Sequence, residues 1–126
     1  MSKWFSEEHE WVEMLNDDIV RIGITDYAQQ ELGDIVFVES PEVDDSITSN
    51  ESMGTIESVK TVSDIYAPLS GIVVRVNEKL EDEPELVNTN SEDEGWLIEM
   101  KITDREELND LLDEETYKKH IEDEGD

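Results

Sequence analysis

The 126-residue chain has no cysteine. A disulfide, a thiol nucleophile and a thiolate metal site are therefore excluded, and any redox chemistry must reside in a group attached to the protein. Cations are scarce as well, with nine Lys and Arg against 36 Asp and Glu and a formal charge of -27. Nucleic acid and anionic membrane surfaces attract basic patches, so neither is an expected partner; the expected ones are cationic or dock through local features. No apolar run approaches the ~20 residues that span a bilayer. Nor does the start, Met1-Ser2-Lys3-Trp4 turning acidic by Glu7, carry the apolar or Arg-rich stretch of a targeting peptide, so a cytoplasmic location is expected.

High charge with little apolar content leaves a chain too few groups to bury against its entropy. Here Leu, Ile, Val and Phe make up about a quarter of the residues, above the roughly one-fifth below which disorder is the rule. One folded domain is expected over residues 1–126, its core about 9–121 and residues 122–126 a frayed acidic tail.

Residues 11–24 read as two β-rich runs around the turn cluster Asn16-Asp17-Asp18, a hairpin. Thr25 then offers a side-chain acceptor to a short helix over Asp26–Leu32, with Ala28 and Leu32 facing inward and Gly33 suited to the left-handed residue that ends it. Short strands follow at 35–38, 53–56, 65–67, 72–76 and 96–102, too closely spaced for βαβ units. A compact, mainly β sandwich or barrel is expected. The acidic stretches at 81–85 and 91–94 read as solvated loops. A faint echo between residues 33–45 and 70–82 suggests two similar half-sheets with Lys60 between them. At the C-terminus, Thr103-Asp-Arg-Glu106 has the form of a capping box. Leu108, Leu111, Leu112, Tyr117 and Ile121 then recur at helical spacing, which predicts an amphipathic helix with a break near Glu114.

Between Arg21 and Arg75 there are ten carboxylates and one cation, Lys60. Composition alone makes it an exposed turn lysine pairing loosely with nearby acids. The stretch Gly54 to Thr61 falls one residue short of a phosphate loop: Val59 stands where the second glycine must let phosphate approach the backbone. A Schiff-base lysine needs a depressed pKa, whereas Glu57 and Asp64 favour the charged form. The remaining reading is a lysine modified through its amine, carried at the tip of a turn within reach of other proteins.

The motifs around it support that reading. Glu57-Ser58-Val59-Lys60, Gly23-Ile-Thr-Asp-Tyr-Ala-Gln29, Leu32-Gly-Asp-Ile-Val-Phe-Val-Glu39, Tyr66-Ala-Pro68, Ser70-Gly71, Asn77, Pro84-Glu-Leu-Val-Asn88 and Glu94-Gly-Trp96 follow one another along the chain. Together, from His9-Glu10-Trp11 through the C-terminal helix, they resemble the glycine cleavage system H proteins. The resemblance implies a flattened barrel-sandwich of the lipoyl/biotinyl type, and a lipoyl group (lipoate in amide linkage) on Lys60. The flanking residues Val59 and Thr61 match neither the methionines usual in biotin carriers nor the Asp-Lys-Ala of 2-oxoacid dehydrogenase lipoyl domains. Asn50 replaces a frequent family glycine, and Ser91-Glu92 a Pro-Tyr pair.

What the resemblance implies is a carrier and not an enzyme. Its lipoyl disulfide accepts an aminomethyl group from a pyridoxal-phosphate glycine decarboxylase (P protein) and delivers it to a tetrahydrofolate-dependent aminomethyltransferase (T protein). A flavin-dependent dihydrolipoamide dehydrogenase (L protein) then reoxidises it, while a lipoate ligase or lipoyl/octanoyl transferase attaches the arm. Glu10 and Asp64 match family positions near the resting place of the loaded arm, and Glu8 stands where a smaller polar residue is common. His9 is expected to be structural and His120 an exposed helix residue, and no calcium-loop spacing or catalytic triad is present. Two other roles stay open: a relay of octanoyl or lipoyl groups to other proteins, and an unmodified acidic interaction module. The excess acid fits adaptation to a salty cytoplasm or steering toward basic partners.

Overall fold

The computed structural model of the protein describes residues 3–125; the expectations for Met1, Ser2 and Asp126 lie outside them. Nine strands form two antiparallel sheets. The larger has the order β1 (Lys3–Phe5), β2 (Glu10–Met14), β3 (Ile19–Ile24), β9 (Ile98–Ile102), β8 (Gly71–Val76), β5 (Ser46–Ile47). The smaller has β4 (Ile35–Glu39), β6 (Ser52–Ser58) and β7 (Val62–Tyr66), with β6 at its centre. Alternation does the folding. Val20, Ile22 and Ile24 of β3, Ile98, Met100 and Ile102 of β9, and Ile56 and Ile65 of the small sheet all enter one core between the sheets.

The hairpin of residues 11–24 forms as β2 and β3, and Asn16 caps its turn by accepting the amides of Asp18 and Ile19 at 3.2 and 3.0 Å. Thr25 is the N-cap of α1 (Asp26–Leu32), its hydroxyl accepting from Ala28 N at 3.2 Å. Ala28 and Leu32 pack on the core, though only partly buried. The strands resembling each other in sequence, β4 and β8, sit in different sheets.

Four sequence expectations give way. Strand β1 lies ahead of residue 9, and its Phe5 joins Trp11, Trp96 and Tyr117 in a second buried cluster. Part of the acidic stretch at 81–85 is helical: α2 (Lys79–Asp82) and α3 (Leu86–Thr89) drive Leu80 and Val87 into the core. One fully buried residue per short helix leaves no period to read. The C-terminal amphipathic segment does break near Glu114, into a 3-10 helix over Arg105–Asp110 and α4 (Glu114–Gly125), with the backbone of Leu112 between them pairing with Phe5. Asp104, not Thr103, caps the first. Helix α4 also runs through residues 122–125, where the sequence suggests a frayed tail.

Most acids face water. Of the two buried on the large sheet, Glu99 on β9 receives Arg21 Nε and Nη2 at 3.0 and 2.7 Å and lies 3.7 Å from Arg75 Nη1, while both guanidiniums cover Trp96. A buried carboxylate held by two cations keeps its charge compensated.

Candidate functional site

Lys60 lies on the β6–β7 connection. Ser58 shapes the turn: its hydroxyl oxygen accepts the amides of Lys60 and Thr61 at 3.1 and 3.2 Å, and its own N–H donates to Thr61 O at 2.8 Å. The turn is also held from outside, by Val59 N–H donating to Asp34 O at 3.0 Å. Asp34 follows Gly33, which ends α1 with φ +82°. A Cβ built on Gly33 would lie 3.2 Å from Lys60 Cε and 3.7 Å from Nζ. The lysine stem therefore crosses bare backbone that no other residue could offer without strain or contact.

Asn88 of α3 fixes that corner. Its Nδ2 donates to Gln29 Oε1 and Gly33 O, both at 2.9 Å, and its Oδ1 accepts Ile35 N–H at 2.8 Å. Neither Ser58 nor Asn88 carries an assigned role in the sequence reading. A serine bonding amides two and three residues ahead is a local pattern that could have revealed Ser58. Asn88 has no such signal, because its partners lie 53 to 59 residues away.

Glu10 and Asp64 line one cleft of about 180 Å³ together with Glu8, His9 and Ala28, below the lysine hairpin along β7. Glu10 is 4% exposed, and Ser6 Oγ donates to its Oε1 at 2.6 Å. Burial pushes its carboxyl from 4.5 up to about 7, against the Ser6 hydrogen bond, which favours the charged form. Asp64, by contrast, is exposed.

His9 takes φ 73° and stands between Tyr27 and Tyr117, with Nδ1 2.8 Å from Tyr117 Oη; that hydroxyl also meets Thr25 Oγ1 at 2.7 Å. These contacts fix the imidazole against α4, and it also lines the cleft. His120 departs from expectation: it is half-buried, its ring 5.6 Å from that of His9 and its Nε2 3.1 Å from Glu7 O. Residues 111 apart in sequence meet because α4 folds back over the N-terminal strands. Among the described residues no group of His, Asp and Glu is arranged to hold a metal ion. Asn50, at φ 71°, adopts a left-handed geometry that asparagine tolerates.

The family model for the glycine cleavage H-protein matches residues 3–124. The chain belongs to the glycine cleavage H-protein family. It is 55% identical to the glycine cleavage system H protein of Staphylococcus carnosus over 93% of this chain and 92% of that one. To that of Geobacillus kaustophilus it is 56% identical over 93% and 91%. The crystal structure of an H protein from Mycobacterium marinum superposes with a TM-score of 0.87 at 37% identity, covering 95% of this chain and 96% of that one. The flattened barrel-sandwich is thereby the H-protein fold, and an H protein is a carrier component of its system, not a catalyst.

The buried carboxyl of this H protein gives a pH dependence. Folded Glu10 holds its proton to about pH 7 whereas the unfolded chain releases it near 4.5. Its contribution to stability is fully present below the lower value and lost as pH rises through the upper one. We expect wild-type unfolding free energy to fall between about pH 5 and pH 8 by up to ~3 kcal/mol more than that of Glu10→Gln, measured by urea denaturation. Parallel curves for the two proteins would remove the perturbed carboxyl.

Proposed function

We propose that the chain is the lipoyl carrier of a glycine cleavage system, with Lys60 as the point of amide attachment, working in the cytoplasm. The observation that carries this reading is the presentation of Lys60: an exposed ammonium on a turn whose backbone is fixed from within by Ser58 and from outside by Asp34. Among the described residues no carboxylate forms an ion pair with it, so the amine is available for acylation. A carrier needs that combination, because a stiff base with a flexible arm turns diffusion between enzymes into a search at high local concentration.

When attached, the lipoyl group supplies the disulfide that takes up an aminomethyl group and the dithiol that is later reoxidised. The partners are then the glycine decarboxylase, the aminomethyltransferase and the dihydrolipoamide dehydrogenase, with a lipoate ligase or lipoyl/octanoyl transferase upstream. This chain's own groups hold and shield. Glu10 and Asp64 offer carboxylates in the cleft beside the hairpin, matched to a cargo that bears a primary amine. An ammonium brought next to Glu10 favours its charged form, so docking of the cargo and loss of the Glu10 proton are coupled.

Intact mass after co-expression with a lipoate ligase tests the attachment. A lipoyl-sized increment that maps to Lys60 and vanishes in Lys60→Arg is expected; an unmodified Lys60 would sink the carrier reading. For the cleft, Glu10→Gln combined with Asp64→Asn is expected to speed spontaneous loss of the aminomethyl group by about tenfold, the scale of a lost charge-assisted hydrogen bond. Unchanged release removes the two residues from the account.

A further inference from the structure

The outer face of the small sheet is apolar where it meets the lysine turn. Val59 is 67% exposed, Val62 61%, Phe37 53% and Val36 47%. They are four of the eight large hydrophobic side chains exposed among the described residues, and all four surround one hairpin. The pairing shows why. Phe37 is opposite Glu57 on β6 and Glu57 opposite Val62 on β7, so the three form one row across the outward face. An irregularity between Ile35 and Phe37 breaks the alternation of β4 and turns Val36 outward beside Phe37. Scattered exposed valines need no explanation, but a cluster on one sheet face beside an exposed lysine amine does.

We propose that this patch is the docking surface for the acyl-transferring enzyme that attaches the arm to Lys60. The inference rests on the lipoyl-lysine reading above. Reach selects this occupant over the later partners. An enzyme that builds the amide must bring its acyl carbon to Nζ itself, no more than a lysine stem from the turn, with that stem lying against Gly33. Its surface therefore covers Val59, Val62 and the adjoining row. Enzymes that act on the finished arm meet its far end, more than twice as far out, and need not touch the row.

Charge defines the rest of the partner. Exposed Glu57 stands within the row, exposed Asp34 adjoins Val59 and exposed Asp64 follows two positions after Val62 on β7, while Lys60 is the single cation of residues 22–74. The fitting mouth is apolar opposite Phe37, Val59 and Val62 and carries basic groups that meet Glu57 and the neighbouring acids, so the apolar contacts supply affinity and the charges steer approach and fix register.

The experiment is steady-state lipoylation of the unmodified full chain by a purified lipoate ligase with lipoate and ATP. The variants are Phe37→Ser with Val62→Ser, Val59→Ser alone, and Ile72→Ser as an exposed control on the large sheet. The double variant is expected to raise KM for the carrier about tenfold and Val59→Ser several-fold, with kcat held within about twofold, Ile72→Ser unchanged and all melting temperatures close to wild type. Higher salt raises KM for every protein. A KM for the double variant and Val59→Ser equal to wild type overturns the proposal. So does an equal loss when fully lipoylated variants are assayed with the glycine decarboxylase, which would assign the patch to that enzyme, or self-association of wild type that the double variant abolishes. A wild-type chain that accepts no lipoate overturns the carrier reading and this surface with it, an outcome distinct from normal KM values in modified proteins.

Discussion

The side-chain amide of Asn88 is the contact on which the presentation of Lys60 depends. Three hydrogen bonds from one residue close the connection between α1 and β4, and the carbonyl of Asp34 in that connection is what the lysine turn hangs from. Each bond contributes only about 1 kcal/mol net, yet breaking the set leaves buried or half-buried polar groups without partners, which costs more. Gly33 belongs to the same arrangement. Its missing side chain lets the lysine stem lie on the backbone, and its positive φ turns the chain from helix to strand. Ser58 completes the frame from within the hairpin.

Around that frame the charge of the protein divides into two populations. Most of the 36 acids are solvated, and their mutual repulsion is screened within about 8 Å at physiological salt. Among the described residues two are buried, and they behave differently for reasons visible in their surroundings. Glu99 is flanked by Arg21 and Arg75, so desolvation is offset by compensating charge. Glu10 has a hydroxyl but no cation, and burial keeps its proton on to about pH 7. An uncompensated carboxyl in a cleft is a group whose charged form a neighbouring cation would favour.

How much of this was legible in the residues depends on sequence distance. Elements set by neighbouring residues were readable: Thr25 as cap, Gly33 as terminator, Asn16 as turn former, and the strands β3, β4 and β6 to β9. Lys60 stood out because acidity makes a lone cation conspicuous, but only the motifs shared with H proteins gave it a chemistry. Composition left it an ordinary turn lysine. What escaped was long-range or aperiodic. Helices α2 and α3 bury one residue each, β5 has two residues, and Asn88 acts on groups more than 50 positions away. The meeting of His9 with His120 is of the same kind, since α4 must first pack on β1 before the two rings are neighbours.

A carrier lysine on a loose loop and one on a fixed turn differ in a single observable, the backbone hydrogen bond between Val59 and Asp34. Amide hydrogen exchange at Val59 measures it directly. Exchange slowed by at least about 100-fold relative to an open chain, and returning toward the open-chain rate in Asn88→Ala, is the expected result. A Val59 amide that exchanges as fast in wild type as in unfolded protein would contradict the fixed presentation of Lys60.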